Sequence, residues 1–97
     1  MEYLLFQLKE PLINGLINIY SEINENRLET RKIHEHTSGK LIKIGEFRRF
    51  SNRYDMGLAE KAIDPLEEFE EDKNQLEVNP ITKEEFDFLW RKAKYSR

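Results

Sequence analysis

Apolar and polar residues alternate along the first half of the chain and recur at helical spacing near its end. Residues 2–9 form an apolar run bounded by Pro11 and read as extended. Over residues 16–23, Ile17, Ile19 and Ile23 fall to one side and Leu16, Asn18, Tyr20 and Glu22 to the other, the two-residue period of a strand with one drier face. Asn24-Glu25-Asn26 predicts a turn, because Asn tolerates left-handed backbone and bonds its own main chain. Residues 27–36 then return antiparallel as the second arm of a hairpin. After a second turn at Thr37-Ser38-Gly39, residues 40–47 alternate again, with Leu41, Lys43, Gly45 and Phe47 against Lys40, Ile42, Ile44 and Glu46. A meander is the simplest topology for these four segments.

The pattern changes at Arg48. Residues 51–63 have no clear period and read as a loop, and 75–79 read as a short edge strand through Leu76 and Val78. Between them, Asp64-Pro65-Leu66-Glu67 combines an N-cap, a proline at the first helical position and a capping-box glutamate, which predicts a short acidic helix over 65–72. Its carboxylates repel one another, so Leu66 and Phe69 must hold it down. Nearer the C-terminus, Thr82 and Glu85 form another capping box, and Ile81 is placed to staple onto Phe86. Phe86, Leu89, Trp90 and Ala93 then repeat at i, i+3, i+4, i+7, while Arg91, Lys92 and Lys94 gather where the helix dipole favours cations. This helix is expected to pack on the sheet, with Phe88 off the apolar stripe and free for a loop or a partner.

These elements predict an α+β fold: an antiparallel sheet of about four strands, a meander, packed by a C-terminal helix, with a short acidic helix in the connection. One helix covers one sheet face. The other must be solvated, covered by residues 48–80, or engaged by another protein. Ninety-seven residues suffice for a single domain over 1–97 with a modest core. The absence of cysteine excludes a disulfide framework and a thiolate site and fits a reducing compartment. The apolar start, Tyr3-Leu4-Leu5-Phe6, has no basic leader and is too short to span a bilayer, so a cytoplasmic location with no membrane partner is expected.

Charge adds the main functional clue. Residues 26–53 hold eight Lys/Arg against three Asp/Glu, and 54–87 hold three against twelve, so a net of +5 is followed by −9. Such sorting suits an interaction surface better than an active site. Glu67, Glu68, Glu70, Glu71 and Asp72 could cap a basic cleft, with Phe69 and Phe88 adding apolar contact. Lys43, Arg48, Arg49 and Arg53, with Phe50 and Tyr54 interleaved, could instead hold a phosphate backbone, but an overall charge of −3 makes nucleic acid the lesser expectation. His34 and His36 share one strand face without an evident third ligand, so no metal is assigned, and both are expected to be solvated at a hairpin end. Asn18, Tyr20 and Glu22 beside Arg31 could line a polar pocket or reflect nothing more than a cross-strand Glu–Arg pair. Ser21, Ser38, Ser51 and Ser96 lack an elbow context, and Gly15, Gly39, Gly45 and Gly57 are too scattered for a phosphate loop. No catalytic residue and no cofactor is therefore assigned, and the chain reads as a non-enzyme.

The order Tyr20-Ser21-Glu22-Ile23, a turn, Arg31-Lys32-Ile33, a Gly39-Lys40 turn, Leu66-Glu67-Glu68, and Ile81-Thr82-Lys83-Glu84-Glu85-Phe86 followed by Trp90 resembles a family of small stand-alone bacterial domains of unassigned function. The resemblance carries structural motifs and no catalytic residues. It implies a type of protein that often inhibits a cognate bacterial toxin. The expectation is thus an immunity-type, protein-binding inhibitor acting through its acidic segment, with a small nucleic-acid-binding or regulatory protein using residues 43–53 as the alternative and a homo-oligomer left open.

Overall fold

The computed structural model describes residues 1–44, 49–50, 58–59 and 76–95, with the backbone alone at 49–50 and 58–59. The four alternating segments form the strands β1 (Glu2–Leu8), β2 (Leu16–Ile23), β3 (Glu29–His36) and β4 (Leu41–Ile44), paired antiparallel in sequence order. The meander expected from the sequence is therefore present. It is not the whole sheet. Two short strands, β5 (Arg49–Phe50) and β6 (Leu58–Ala59), form a separate parallel ribbon. Strand β7 (Leu76–Pro80) adds antiparallel to β1, and β8 (Lys94–Tyr95) adds parallel to β4. Among the described residues the main sheet has six strands in the order β7-β1-β2-β3-β4-β8, which corrects the expected four. Residues 94–95 escaped sequence reasoning because a two-residue strand has no period to read. The expected acidic helix over 65–72 lies outside the described residues.

Both turns lie where the sequence places them, and of the two roles expected of Asn in the first, only bonding to the main chain is present. Arg27, not an asparagine, takes the left-handed conformation, at φ 65°. Asn24 works through its side chain instead, its Oδ1 accepting from the amides of Asn26 at 2.9 Å and Leu28 at 3.0 Å. Gly15 and Gly39 both take left-handed backbone, and at Gly15 space is short as well. The Gly15 φ is +89°, and a Cβ there would stand 3.3 Å from Thr37 Oγ1. That close approach lets the Thr37 amide donate to the Gly15 carbonyl at 2.8 Å, tying the β1–β2 turn to the β3–β4 turn.

One face assignment also changes. The pairing steps from Leu16↔His36 to Asn18↔Glu35, so β2 carries a bulge at Ile17. A bulge inserts one residue and flips the alternation beyond it. Leu16 therefore joins Ile19 in a dry cluster with Leu4, Phe6, Leu8, Ile23 and Leu76, rather than facing the same way as Asn18.

The C-terminal helix α1 (Lys83–Lys92) follows the sequence signals closely. Thr82 is the N-cap, its Oγ1 accepting from the Glu85 amide at 3.0 Å. Ile81 packs against the cluster of Tyr3, Ile33, Phe86 and Ala93, and its amide donates to the Tyr3 carbonyl at 2.9 Å, so the helix entry is pinned to β1. Phe86 is fully buried, against Tyr3, Ile33 and Ala93, with Tyr20, Leu41, Leu89 and Trp90 around them. The opposite sheet face is equally dry: Leu4, Ile19, Ile23 and Lys32 are fully buried there. A solvated second face is thereby excluded.

Candidate functional site

Strand register assembles two polar systems beneath and beside α1. In the first, β2 places Glu22 opposite Arg31 of β3 and Tyr3 of β1. The Arg31 guanidinium grips both carboxylate oxygens, Nε to Oε1 at 2.8 Å and Nη2 to Oε2 at 2.6 Å. Tyr3 Oη donates to Oε2 at 2.9 Å and Thr30 Oγ1 to Oε1 at 2.8 Å. The Glu22 carboxyl is held below its usual 4.5, chiefly by the Arg31 fork against the opposing cost of burial, with Thr30 and Tyr3 helping. From α1, Asp87 accepts from Arg31 at 3.2 Å and from Lys83 at 2.7 Å. Lys83, then Arg31, keep the Asp87 carboxyl below its usual range. Tyr3 is pushed up by burial and by donating to Glu22.

In the second system Glu35 of β3 accepts, on one oxygen, from Tyr20 Oη at 2.7 Å and Asn18 Nδ2 at 2.8 Å. Burial first, then the Glu35 contact, raises the Tyr20 phenol well above its ordinary value. Asn18 Oδ1 is buried with no hydrogen-bond partner. The sequence reading offered a pocket or a Glu–Arg pair; the Glu22–Arg31 pair is present, and Asn18 and Tyr20 turn to Glu35 instead.

Aromatic rings and cations then alternate from the core to the sheet edge. Phe86 and Trp90 lie nearly parallel, 6.1 Å apart, with the Arg31 guanidinium 4.9 Å from each ring centre. Lys43 Nζ stands 5.0 Å from the Trp90 ring and 4.9 Å from the Tyr95 ring, and it donates to the Trp90 carbonyl at 3.5 Å. The ladder therefore reads Phe86, Arg31, Trp90, Lys43, Tyr95, with Tyr95 62% exposed at its outer end. Helical spacing made Phe86 and Trp90 legible. Their cations come from β3 and β4, and only the strand register brings them in.

The residues singled out in the sequence are dispersed. Lys43 belongs to the ladder. Phe88 is 51% exposed, with Lys92 Nζ 4.4 Å over its ring. Glu67, Glu68, Phe69, Glu70, Glu71, Asp72, Arg48 and Arg53 lie outside the described residues, as does the Arg49 side chain. His34 corrects the expectation of solvated histidines: it is buried, on the face of Ile19, and His36 is half-buried. No cluster of metal-ligating residues occurs among the described residues. Sequence reasoning missed a buried polar row on that same face, in which Ser21 Oγ donates to Glu29 Oε2 at 2.6 Å and Lys32 lies opposite Ser21. An open groove of about 500 Å³ borders the first polar system at Tyr3 and Lys83, lined also by Met1, Glu2, Pro80 and Ile81.

Residues 2–95 match the sequence model of DUF6881, a domain of unknown function. The chain belongs to that family. The match spans every strand of the main sheet and the whole of α1, so the family is defined over this fold rather than over a local motif. No curated protein and no solved structure matches the chain. Among the described residues, no helix is long and apolar enough to cross a membrane.

Proposed function

We propose that this chain is a non-catalytic protein-binding module, an immunity-type inhibitor that neutralises a bacterial toxin through its acidic segment. The supporting observation is how the basic half of the chain uses its charge. Arg27 pairs with Glu2, and Arg31 pairs with Glu22 and Asp87. Two of the eight cations of residues 26–53 thus have acids in the body of the fold, at Glu2, Glu22 and Asp87. A surplus of carboxylates within eight residues, with Phe69 among them, suits a basic cleft such as that of a nucleic-acid-cleaving toxin. Charge of this kind speeds encounter and selects the partner, while a buried aromatic slows dissociation.

The partner to test is the product of the reading frame adjacent to this one, since an inhibitor is expected beside its target. Stopped-flow association of the two proteins should be fast and should slow as salt rises. Reversing charge at Glu67, Glu68, Glu70 and Glu71 should slow association by about tenfold or more and flatten the salt dependence. Association kinetics unchanged by the four reversals would remove the acidic segment from the mechanism.

A further inference from the structure

Apart from Lys32, buried on β3, and Lys40, exposed in the β3–β4 turn, the cations of the described residues divide into two groups by their ion pairs. Lys9, Arg27, Arg31 and Lys83 each pair with a carboxylate; they stand just after β1, in the β2–β3 turn, on β3 and at the start of α1. Lys43, Arg91, Lys92 and Lys94 pair with none. Lys43 stands over Trp90 and Tyr95 and Lys92 over Phe88, while Arg91 lies in the last turn of α1 and Lys94 beside Tyr95 on β8, so the four belong to the β4–β8 edge and the adjoining end of the helix. The helix dipole accounts for Arg91 and Lys92. It favours Lys94 as well, one residue past the C-cap Ala93, but it does not account for Lys43, which sits on β4.

The ladder is asymmetric in the same way. Its inner cation, Arg31, is neutralised by Glu22 and Asp87, whereas its outer cation, Lys43, touches two rings and the Trp90 carbonyl. Beyond Lys43 stands Tyr95 on a two-residue strand that ends the sheet among the described residues. Uncompensated positive charge thus coincides with an exposed aromatic ring at a sheet edge.

From this juxtaposition we infer that the β4–β8 edge, with Lys43, Arg91, Lys92, Lys94, Trp90 and Tyr95, is a binding site for single-stranded nucleic acid. The chemistry matches on both counts. A single strand carries one phosphate per nucleotide for the cations and presents unpaired base faces for Tyr95, and stacking of this kind tolerates any base. A duplex hides those faces, and a flat strand edge offers no helix to enter a major groove. The protein's net negative charge does not forbid the contact, because potential at a patch is set by the charges within about one Debye length, roughly 8 Å at physiological salt. The site is separate from the acidic-segment reading and does not rest on it.

The test is fluorescence anisotropy of a labelled oligouridylate and the matching oligothymidylate, each about 12 nucleotides, a length within the site size of small single-strand binders. The expected result is saturable binding at about 50 mM salt that weakens steeply towards about 200 mM. Replacing Arg91, Lys92 and Lys94 together by Gln should reduce the salt slope by about 2, since each lost phosphate contact removes about 0.7 on a single strand. Tyr95→Ala should weaken binding about tenfold without changing that slope, while Tyr95→Phe should retain it. Tyr95→Phe keeps the ring and the packing against Trp90, so it separates stacking from folding. Fluorescence of Trp90, the one tryptophan, should change on saturation. The inference is overturned by absence of binding at low salt, by a duplex of the same length binding as tightly, by Tyr95→Ala behaving as the parent, or by polyglutamate displacing the oligonucleotide at equal charge concentration. Variants at Glu67, Glu68, Glu70 and Glu71 should leave this binding intact, so failure here and failure of the inhibitor reading are read out separately.

Discussion

Arg31 joins three elements through one planar group. Its guanidinium holds both oxygens of Glu22, reaches Asp87, and lies against the Phe86 and Trp90 rings. Lysine carries the same charge but has neither the fork nor the flat face. Arg31→Lys should therefore lower stability, and Arg31→Met should cost about 3 kcal/mol or more because the buried Glu22 carboxylate is left with only Tyr3 and Thr30. Chemical denaturation at neutral pH measures both. The pH dependence has a fixed sign. Glu22 and Asp87 titrate below their usual values of 4.5 and 3.8, so their contribution is complete above those values and is lost as pH falls through the lowered ones. Glu22→Gln should flatten the stability profile over that acidic range. Tyr3 and Tyr20 behave in the opposite sense. Their phenols are raised above 10, so they support the fold below pH 10 and release that support only as pH climbs past their raised values. A phenolate absorbance titration should find both still protonated at pH 10.

At the scale of elements, the turns and the cap are the points where a single atom decides. Gly15→Ala must accept a left-handed backbone and crowd Thr37 Oγ1, a combination expected to cost about 1–2 kcal/mol. Thr82→Ala removes the acceptor for the Glu85 amide and should cost about 1 kcal/mol. Thermal unfolding of the two variants checks both figures. These elements also mark what a sequence can and cannot disclose. The capped helix was legible because its cap, staple and apolar stripe are local and redundant: Thr82, Ile81 and Phe86 each predict the same onset. The strands were legible from their period. The bulge at Ile17 was not, because a one-residue slip leaves composition and alternation unchanged on either side and is fixed only by the partner strand. The candidate sites fared worse for the same reason. Arg31 and Glu22 were visible as a cross-strand pair, but Asp87 and the two aromatic partners stand 55 or more positions away along the chain and meet Arg31 only in the folded sheet.

For the whole molecule, the sheet is assembled from two unequal sources. Its four central strands come from the first 44 residues, and both outer strands come from residues 76–95. The two apolar clusters lie one on each face of the sheet, and each joins residues of the first 44 to residues of 76–95. Stability should follow that plan, with amides of β1, β2 and β3 exchanging only on global unfolding and those of β7 and β8 exchanging through smaller openings. Native-state hydrogen exchange would resolve the difference, and equal protection at centre and edge would contradict it.

That arrangement bears on how the chain leaves the ribosome. Until residues 76–95 emerge, the nascent meander offers two open flanks whose amides and carbonyls have nothing to bind, and such flanks recruit strands from other chains. A transcript cut short before codon 76 should therefore yield an aggregating product rather than a smaller soluble one.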